Sequence, residues 1–403
     1  MVPLLYDRLT RNPESASFDF KRWMEVRLMP PAVVGIEHLG AYAGQVARNN
    51  LRFFSELNKY LTHLEKDNIS VILLKGAWLA QGIYSSIGLR EMNDMDLLFR
   101  LEDLPAAWSI LSNMGYRPER PVHIDYEITK SHHLPPVLKK GVAVFELHWN
   151  ITGPGRYYSI PQDGLHDRAD DHTIGGQTIK ALSPEDQLLH LCLHTSYQHL
   201  FSFGLRPYCD IDATITHYSN SLDWDQFTDR AAEYGWSKGT WLALAMARDL
   251  LGAEVPEEVL DELRPQGDSA YEGEKTVIQM CEEQLFTKKT VAALVQPHMM
   301  DMLDGMGITR KAKIIWGRVC LPKETMMIMY NVKPGSVWIY AYYLLRLWQL
   351  IYRHTWNVFR LYRGDAVLSG VAVRKKFLGE FLCGEGEGKI AELSAERSQH
   401  PSH

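Results

Sequence analysis

Cysteine is scarce in this sequence, and the few cysteines follow no disulfide or metal-binding pattern. The 403 residues include five, at positions 192, 209, 281, 320 and 383, an odd number with wide spacing and no C-x-x-C pair. This distribution is typical of reduced thiols rather than of a disulfide framework or a zinc ribbon. The N-terminal residues also lack the apolar segment of a secretory signal. We therefore expect a cytoplasmic protein.

Long hydrophobic runs and a strong excess of one charge are absent as well. The most apolar segment, residues 337–345, is nine residues long, whereas a transmembrane helix needs about 20. The 43 Lys and Arg residues against 49 Asp and Glu residues give a net charge of −6, and binding of duplex nucleic acid requires a basic face. We therefore expect neither a transmembrane segment nor duplex nucleic acid as a partner.

Hydrophobic periodicity divides the chain into an α/β part and a helical part. Helical spacing covers residues 36–66, 77–84 and 103–114, and short β-branched or alternating runs predict strands at 70–74, 94–99 and 142–149. Ser183 and Pro184 begin a series of helices. We expect an N-terminal segment at 1–35, an α/β domain at 36–180, an all-helical domain at 181–383 and a disordered tail at 384–403.

Asp94 and Asp96 lie in one predicted strand, at alternating positions. Residues two apart in a strand point to the same face, so the two carboxylates project together. Side-by-side carboxylates repel and raise each other's pKa unless a cation lies between them. Because oxygen ligands favour Mg²⁺ or Mn²⁺, the pattern predicts a site for one of these ions.

Glu146 is the candidate for a third carboxylate. It lies in an apolar predicted strand on the same face as His148, where an unpaired acid would be costly. His148 could orient Glu146 or the acceptor, or be a hydrogen-bonded structural residue, and His133 could lie near the same acids. The three acids together favour a phosphoryl-transfer site over a solvated turn.

The sequence around these acids resembles a known family. The resemblance is carried by LLKGAWLAQGIYSSIGLREMNDMDLLF, followed by MGY and FELHW. These motifs are similar to those of the nucleotidyltransferase superfamily, which has a DNA polymerase β-like fold, and within it to a family of uncharacterised bacterial nucleotidyltransferases. The similarity extends over most of the first 250 residues. It implies an α/β (α+β) nucleotidyltransferase fold with a mixed sheet, followed by an all-helical C-terminal domain.

The resemblance also implies roles for individual residues. Asp94, Asp96 and Glu146 would bind Mg²⁺ (or Mn²⁺), with Glu146 as metal ligand or general base. Lys75 and Gly76 would contact the triphosphate, Gly76 by letting it approach the start of the following helix. Arg90 could contact phosphate, or form a surface ion pair with Glu91 or Glu102.

The implied activity is transfer of a nucleoside monophosphate from an NTP, with ATP favoured, to an unknown small-molecule, peptide or protein acceptor. One departure from the family pattern concerns the turn, which is usually Gly-Ser or Gly-Gly and here is Gly76-Ala77. The alternative is therefore a catalytically degenerate fold that binds a nucleotide or a partner. Transfer of a γ-phosphate is a third alternative, although no kinase or P-loop motif is present.

Three further patterns allow other interpretations. His190 and His194 are four residues apart on a predicted helix and could chelate zinc, but a polar face lining the cleft is favoured. The D-x-D of Asp210 and Asp212 also lies in a predicted helix, where the two side chains diverge. The aromatic and arginine-rich stretch at 335–363 indicates a core helix with snorkelling arginines, or a surface for a membrane or partner.

Overall fold

The chain forms two compact units, which are described separately. Unit 1 comprises residues 1–193 and 205–264, and unit 2 comprises residues 194–204 and 265–403. The computed structural model describes residues 36–153, 160, 162–265, 270–285, 287, 316, 320–321, 323–330, 332–333, 335–362 and 366–383. The segments 1–35 and 384–403, for which the sequence predicts an N-terminal segment and a disordered tail, lie outside the described residues.

Unit 1 is built on one mixed sheet of seven strands. The strands in chain order are β1 (Ile72–Leu73), β2 (Asp94–Leu98), β3 (Arg117–Pro118), β4 (Val137–Leu138), β5 (Val144–His148), β6 (Asp170–Ile174) and β7 (Gln177–Ala181). Their spatial order is β3-β4-β5-β2-β1-β7-β6. The β2–β5 and β1–β7 pairs are parallel and the other pairs are antiparallel. The expected α/β fold with a mixed sheet is confirmed.

Helices cover this sheet and continue the unit after it. They are α1 (Ile36–Lys66), α2 (Lys75–Trp78), α3 (Leu104–Asn113), α4 (Ile124–Ile128), α5 (Gln162–Asp167), α6 (Pro184–Leu193), α7 (Arg206–His217), α8 (Trp224–Glu233), α9 (Ser237–Leu251) and α10 (Glu257–Leu263). The predicted helix at 77–84 begins earlier, at Lys75, and continues from α2 as a π-helical turn over Leu79–Ile83. The predicted start of α6 is confirmed, because the Asp186 amide donates to Ser183 Oγ at 3.3 Å.

The hairpin of β6 and β7 is absent from the sequence prediction. Its turn contains Gly175 and Gly176, both with positive φ (57° and 82°). Glycine adopts this conformation without the steric cost that other residues meet, and Gly-Gly between two short runs is a hairpin signal. The hairpin adds β7 beside β1, so the central strand β1 is paired on both sides.

Unit 2 is helical in its described residues. It contains a π-helical turn (His194–Gln198) and the helices α11 (Ala270–Leu285), α12 (Lys323–Met329), α13 (Ile339–Tyr362) and α14 (Ala366–Cys383). Helix α13 corresponds to the aromatic stretch, but Tyr340, Leu344, Trp348 and Tyr352 are exposed, so the prediction of a core helix is wrong for this face. Arg363 lies outside the described residues.

None of the helices in the described ranges combines the length and the apolarity needed to cross a bilayer.

Strand alternation separates a buried face of the sheet from a polar one, as the sequence predicts. Met95, Leu97, Phe145 and Leu147 are buried in the core. Asp94, Asp96, Glu146 and His148 occupy the alternating positions of the same two strands. The apolar side chains therefore anchor β2 and β5 while the polar side chains project from the opposite face.

An aromatic cluster fills the core beneath these strands. The Tyr60 ring centroid lies 5.5 Å from that of Phe145 and 6.3 Å from that of Phe99, and Tyr116 packs edge-on against Phe145 at 5.1 Å. The Tyr60 hydroxyl donates to the Ala107 carbonyl at 2.8 Å. Edge-on aromatic pairs add to the free energy gained by burial.

We expect Phe145→Ala to lower the free energy of unfolding by about 3–5 kcal/mol, because it leaves a cavity among three packed rings. Tyr60→Phe removes one hydrogen bond and no ring contact, and is expected to cost only about 1 kcal/mol. Urea unfolding followed by circular dichroism compares the two variants. Equal losses would contradict the role assigned to Phe145.

Candidate active site

The register of two parallel strands brings two of the predicted acids together. Asp96 in β2 pairs with Glu146 in β5, and the flanking pairs are Asp94 with Val144 and Leu98 with His148. Asp96 is buried, and Glu146 keeps 20% of its side chain exposed. Two carboxylates from neighbouring strands thus face one side of the sheet at its centre.

His148 bridges these two acids. Its Nε2 lies 2.9 Å from Asp96 Oδ1, to which it donates a hydrogen bond, and 3.7 Å from Glu146 Oε2. Burial lowers the pKa of His148, but the hydrogen bonds to the two carboxylates outweigh this effect and the pKa is raised. The imidazole therefore stabilises the two acids in a site where only 2% of its own side chain is exposed.

Lys75 is the second cation at Asp96. Its Nζ lies 3.2 Å from Asp96 Oδ1, the same oxygen that His148 contacts. Lys75 adopts a left-handed conformation (φ 45°) although it is not glycine. Such strain costs of order 1–3 kcal/mol and persists where the surroundings impose it. The start of α2 thus holds the ammonium group against the acids.

Asp94 stands apart from this group. It is exposed, and its carboxylate is not among the ligand atoms of Asp96, Glu146 and His148 that lie within 4.8 Å of one another. Its pKa is nevertheless raised, first because neighbouring protein atoms partly desolvate the carboxyl and then by the charges of Asp96 and Glu146. The charges of Asp96 and Glu146 therefore act on Asp94, although its carboxylate does not belong to their group of ligand atoms.

Two more histidines approach the acids from the loop before β4. His133 Nδ1 donates to the Leu134 carbonyl at 2.8 Å and lies 4.0 Å from Glu146 Oε2. The His132 and His133 rings lie 5.5 Å and 5.0 Å from the His148 ring. Burial lowers the pKa of His132 to about 2, so this imidazole is neutral at pH 7.

Gly76 is closely packed in the structure. A Cβ at this position would lie 3.0 Å from Met92 Cγ and 3.7 Å from Arg90 Nη1. A side chain at this position would therefore require the Met92 side chain to shift by a few tenths of an ångström. This close approach is compatible with the predicted contact of Gly76 with a triphosphate, but it does not require it.

Arg90 is buried in an ion pair that the sequence does not predict. Its Nε donates to Asp210 Oδ1 at 2.7 Å, and its Nη1 donates to the Glu91 carbonyl. Tyr84 donates its hydroxyl to the same Asp210 oxygen at 2.8 Å. The expected surface ion pair with Glu91 or Glu102 is therefore replaced by a buried network that connects the segment before β2 to α7.

His190, for which the sequence favours a polar helix face lining the cleft, lies close enough to Lys75 and Asp96 for their charges to act on it. Only 1% of this residue in α6 is exposed, and its Nδ1 has no hydrogen-bond partner among the described residues. Its pKa is lowered to about 3, chiefly by burial and next by the charge of Lys75. The polar spacing in HLCLH is the sequence signal for this residue.

The two other metal-binding patterns of the sequence do not form a three-residue metal site in the described ranges. The helical D-x-D of Asp210 and Asp212 lies in α7, as predicted, and Asp210 is engaged with Arg90. His194 Nε2 lies 3.1 Å from His199 Nε2. Across the described ranges, the group of three side chains with the spacing for a metal ion is Asp96, Glu146 and His148.

The donor set at this position fits a divalent cation. Two carboxylates and an imidazole offer ligand atoms within 4.8 Å of one another. Lys75 and His148 already place positive charge on the same Asp96 oxygen. Acids that already attract two basic side chains provide the negative electrostatic potential that a bound metal ion requires.

Comparison with known families assigns the chain to a class of protein, the nucleotidyltransferases. A family model described as "Uncharacterised nucleotidyltransferase" matches residues 1–252, which is more than half of the chain. The chain belongs to this family and is, by family, a transferase enzyme. No curated protein shows significant similarity to it.

Solved structures of nucleotidyltransferases show weak similarity. The solution structure of the antibiotic-resistance factor ANT(2'')-Ia and the crystal structure of ANT(2'')-Ia in complex with adenylyl-2''-tobramycin are each 14% identical, with a TM-score of 0.33. They cover 45% of this chain, and 90% and 95% of their own chains. A nucleotidyltransferase-like protein from Paracoccidioides brasiliensis is 17% identical over 55% of this chain and 96% of its own, with a TM-score of 0.31. The family assignment rests on the family model.

We expect Asp210→Asn to destabilise unit 1 by about 3–5 kcal/mol, because it leaves the buried guanidinium of Arg90 without its counter-charge. The double variant Arg90→Met/Asp210→Leu removes both charges and is expected to recover most of that loss. Urea unfolding of the single and double variants measures the coupling. As a reference, Glu257→Gln breaks the exposed ion pair with Arg248 and should cost at most about 1 kcal/mol.

His190 makes stability depend on pH in a predictable direction. The pKa of the folded state, about 3, lies below the ordinary value of 6.5, so on acidification the unfolded chain takes up a proton that the folded chain does not. Between about pH 6 and about pH 3 wild type should lose about 1.4 kcal/mol per pH unit relative to His190→Gln, and about half of that between pH 7 and pH 6. Denaturation midpoints at pH 7, 6 and 5 measure this difference, and the exposed His63→Gln is the matched reference. A difference that does not change with pH would contradict the assignment.

Proposed function

We propose that the protein is a Mg²⁺- or Mn²⁺-dependent nucleotidyltransferase, which moves a nucleoside monophosphate from an NTP, with ATP favoured, to a small-molecule, peptide or protein acceptor. The observation that carries the proposal is the register of β2 and β5, which sets Asp96 beside Glu146. In a member of this family, such a pair is suited to a cation that binds nucleotide phosphates.

Asp96 and Glu146 are the proposed inner carboxylates, and Asp94 the outer one. Asp94 is more exposed than Asp96 and already under the influence of the other two charges. A rotation of its side chain towards an incoming cation would relieve the repulsion that raises its pKa. Asp94 is therefore included in the proposed metal site, although its carboxylate is not among the ligand atoms that lie within 4.8 Å of one another.

Lys75 is the proposed phosphate ligand. In the structure its ammonium group neutralises Asp96. A divalent cation at Asp96 would repel Lys75, because like charges at a few ångströms repel strongly in a partly buried site. The freed ammonium group would then lie beside the turn at Gly76, where the triphosphate is expected. Lys75 would thus replace the serine hydroxyl that the Gly76-Ala77 turn lacks.

Arg90 acts indirectly in this proposal. Its guanidinium is engaged with Asp210, and its Nη1 lies 3.7 Å from the Cβ position of Gly76. Arg90 would therefore hold the turn in place, and its charge would add to the field on the phosphates.

Glu146 is the proposed general base. Its carboxylate is the more exposed of the two inner acids and faces the imidazoles of His133 and His148. It can accept the proton of an acceptor hydroxyl while His148 holds the carboxylate in orientation. A bound divalent cation would supply the remaining chemistry, by lowering the pKa of the acceptor hydroxyl and neutralising the charge that develops on the phosphate.

The acceptor is proposed from charge alone. With a net charge of −6, the protein has no excess of positive charge to bind a duplex. A small molecule or a peptide with a hydroxyl group is therefore favoured.

The domain boundaries at residues 180 and 383 stay a prediction.

The site of cleavage on ATP tests the proposal without a known acceptor. We expect the full chain with Mg²⁺ or Mn²⁺ to convert α-labelled ATP slowly to labelled AMP and pyrophosphate when water is the acceptor. With an accepted hydroxyl compound it should form a labelled adenylyl ester of that compound and pyrophosphate at a faster rate. Asp96→Asn should lower the rate by at least about a hundredfold, because it removes a charge worth several kcal/mol in the transition state. Thin-layer chromatography of α- and γ-labelled ATP separates the products.

Asp170→Asn is the matched control, since Asp170 is exposed in β6, three strands away from β2 in the sheet order. Release of phosphate and ADP would instead indicate γ-phosphoryl transfer. ATP binding without any cleavage across sugars, hydroxy amino acids and peptides would favour the catalytically degenerate alternative. The observation that supports this alternative is the Gly76-Ala77 sequence, which lacks the serine hydroxyl of the usual Gly-Ser.

A further inference from the structure

His148 lies where a ligand to a metal ion would lie. Its Nε2 lies 2.9 Å from Asp96 Oδ1 and 3.7 Å from Glu146 Oε2. The same nitrogen therefore approaches an oxygen of each acid, and all three ligand atoms lie within 4.8 Å of one another. A cation placed between these two oxygens would also lie close to this nitrogen.

These separations suit a common metal ion. With metal–ligand bonds of about 2.1 Å, neighbouring ligand atoms of an octahedron lie about 3.0 Å apart and opposite ones about 4.2 Å apart. The Nε2–Oδ1 separation of 2.9 Å matches a neighbouring pair, and the Nε2–Oε2 separation of 3.7 Å lies between the two limits. Small side-chain adjustments would suffice to place all three atoms around one ion.

The backbone holds His148 in this position. It lies in β5, its carbonyl accepts a hydrogen bond from the Phe99 amide at 2.9 Å, and it forms an antiparallel bridge with His133. Strands thus fix the residue on both sides, and only 2% of its side chain is exposed. The imidazole has no room to swing away from an ion bound at Asp96.

An imidazole in the ligand set changes which ion the site prefers. Carboxylate and water oxygens suit Mg²⁺ and Mn²⁺, whereas imidazole suits first-row transition ions, foremost Fe²⁺, Ni²⁺, Cu²⁺ and Zn²⁺, with Mn²⁺ at the weak end of that series. Mg²⁺ binds preferentially to oxygen and keeps most of its water. A set of two carboxylates and one imidazole therefore favours a first-row transition ion over Mg²⁺.

We propose that His148 Nε2 is a direct metal ligand together with Asp96 and Glu146, and that this mixed site binds a transition-metal ion such as Mn²⁺ in preference to Mg²⁺. The inference rests on the proposed function only in using the same site, because ion binding requires neither nucleotide nor acceptor. The alternative is an all-oxygen Mg²⁺ site in which His148 only donates to Asp96.

Electron paramagnetic resonance on the full chain with MnCl₂ tests the ligand directly. We expect one tightly bound Mn²⁺ whose electron spin echo shows ¹⁴N modulation, and modulation of altered frequency when the histidines carry ¹⁵N. Displacement titration with MgCl₂ should show an affinity at least about tenfold weaker than that for Mn²⁺. Isotope labelling leaves the sequence unchanged, so this readout does not depend on the folding of any variant.

Two histidine variants give the matched comparison. His148→Gln should abolish the nitrogen modulation and weaken Mn²⁺ binding by at least about tenfold, with little change in the affinity for Mg²⁺. His133→Gln removes an imidazole whose ring lies 5.0 Å from that of His148, and should leave the modulation intact. Circular dichroism and urea unfolding check that both variants fold.

The outcomes separate this inference from the proposed function. Bound Mn²⁺ without histidine nitrogen coupling, absence of tight Mn²⁺ binding, or equal affinity for Mg²⁺ would each overturn the inference. AMP transfer with Mg²⁺ in a protein that lacks nitrogen coupling would leave the proposed function standing. Nitrogen-coupled Mn²⁺ in a protein that never cleaves ATP would support the metal ligand and overturn the proposed function.

Discussion

The repulsion between Asp96 and Glu146 is the constraint around which unit 1 is organised. Parallel pairing of β2 with β5 fixes the two carboxylates side by side, and the buried residues on the opposite face prevent either strand from shifting register. A shift by one residue would put the acids into the aromatic core. Their negative charge is instead compensated locally, by His148 from β5 and by Lys75 from the start of α2.

A second buried charge connects this local solution to the helices beyond the sheet. Arg90 and Asp210 are both almost excluded from solvent, with 11% and 4% of their side chains exposed. An ion pair in such surroundings contributes little net stability but penalises any arrangement in which one partner is unpaired. Because Arg90 precedes β2 closely and Asp210 lies in α7, the pair fixes the position of the helix relative to the strand that carries Asp94 and Asp96. Tyr84, which follows the π-helical turn after α2, donates to the same oxygen and ties this turn to the network.

Patterns that depend on neighbours along the chain could be predicted from the sequence, and those that depend on packing could not. The alternation in β2 and β5 predicts the shared face of Asp96 and Glu146, and the start of α6 follows from Ser183 and Pro184. The pairing of Arg90 with Asp210 joins residues 120 positions apart, and no local pattern selects Asp210 over the other acids. The hairpin of β6 and β7 could have been found from Gly175-Gly176, but its place beside β1 required the assembled sheet.

The count of charges around the acids explains why this site should attract a cation. Asp94, Asp96 and Glu146 carry three negative charges when ionised. Lys75 and, when protonated, His148 supply at most two positive charges, because burial and the charge of His148 lower the pKa of the neighbouring His133. Arg90 lies near Asp94 but is engaged with Asp210, and burial keeps the imidazole of His132 neutral, as it does for His190 in α6. The site therefore keeps at least one uncompensated negative charge in a partly buried position, where the attraction of a divalent ion is stronger than at an exposed surface. A cation bound there would remove the excess charge and would also release Lys75 from Asp96, so that ion binding and the preparation of a phosphate ligand become one event.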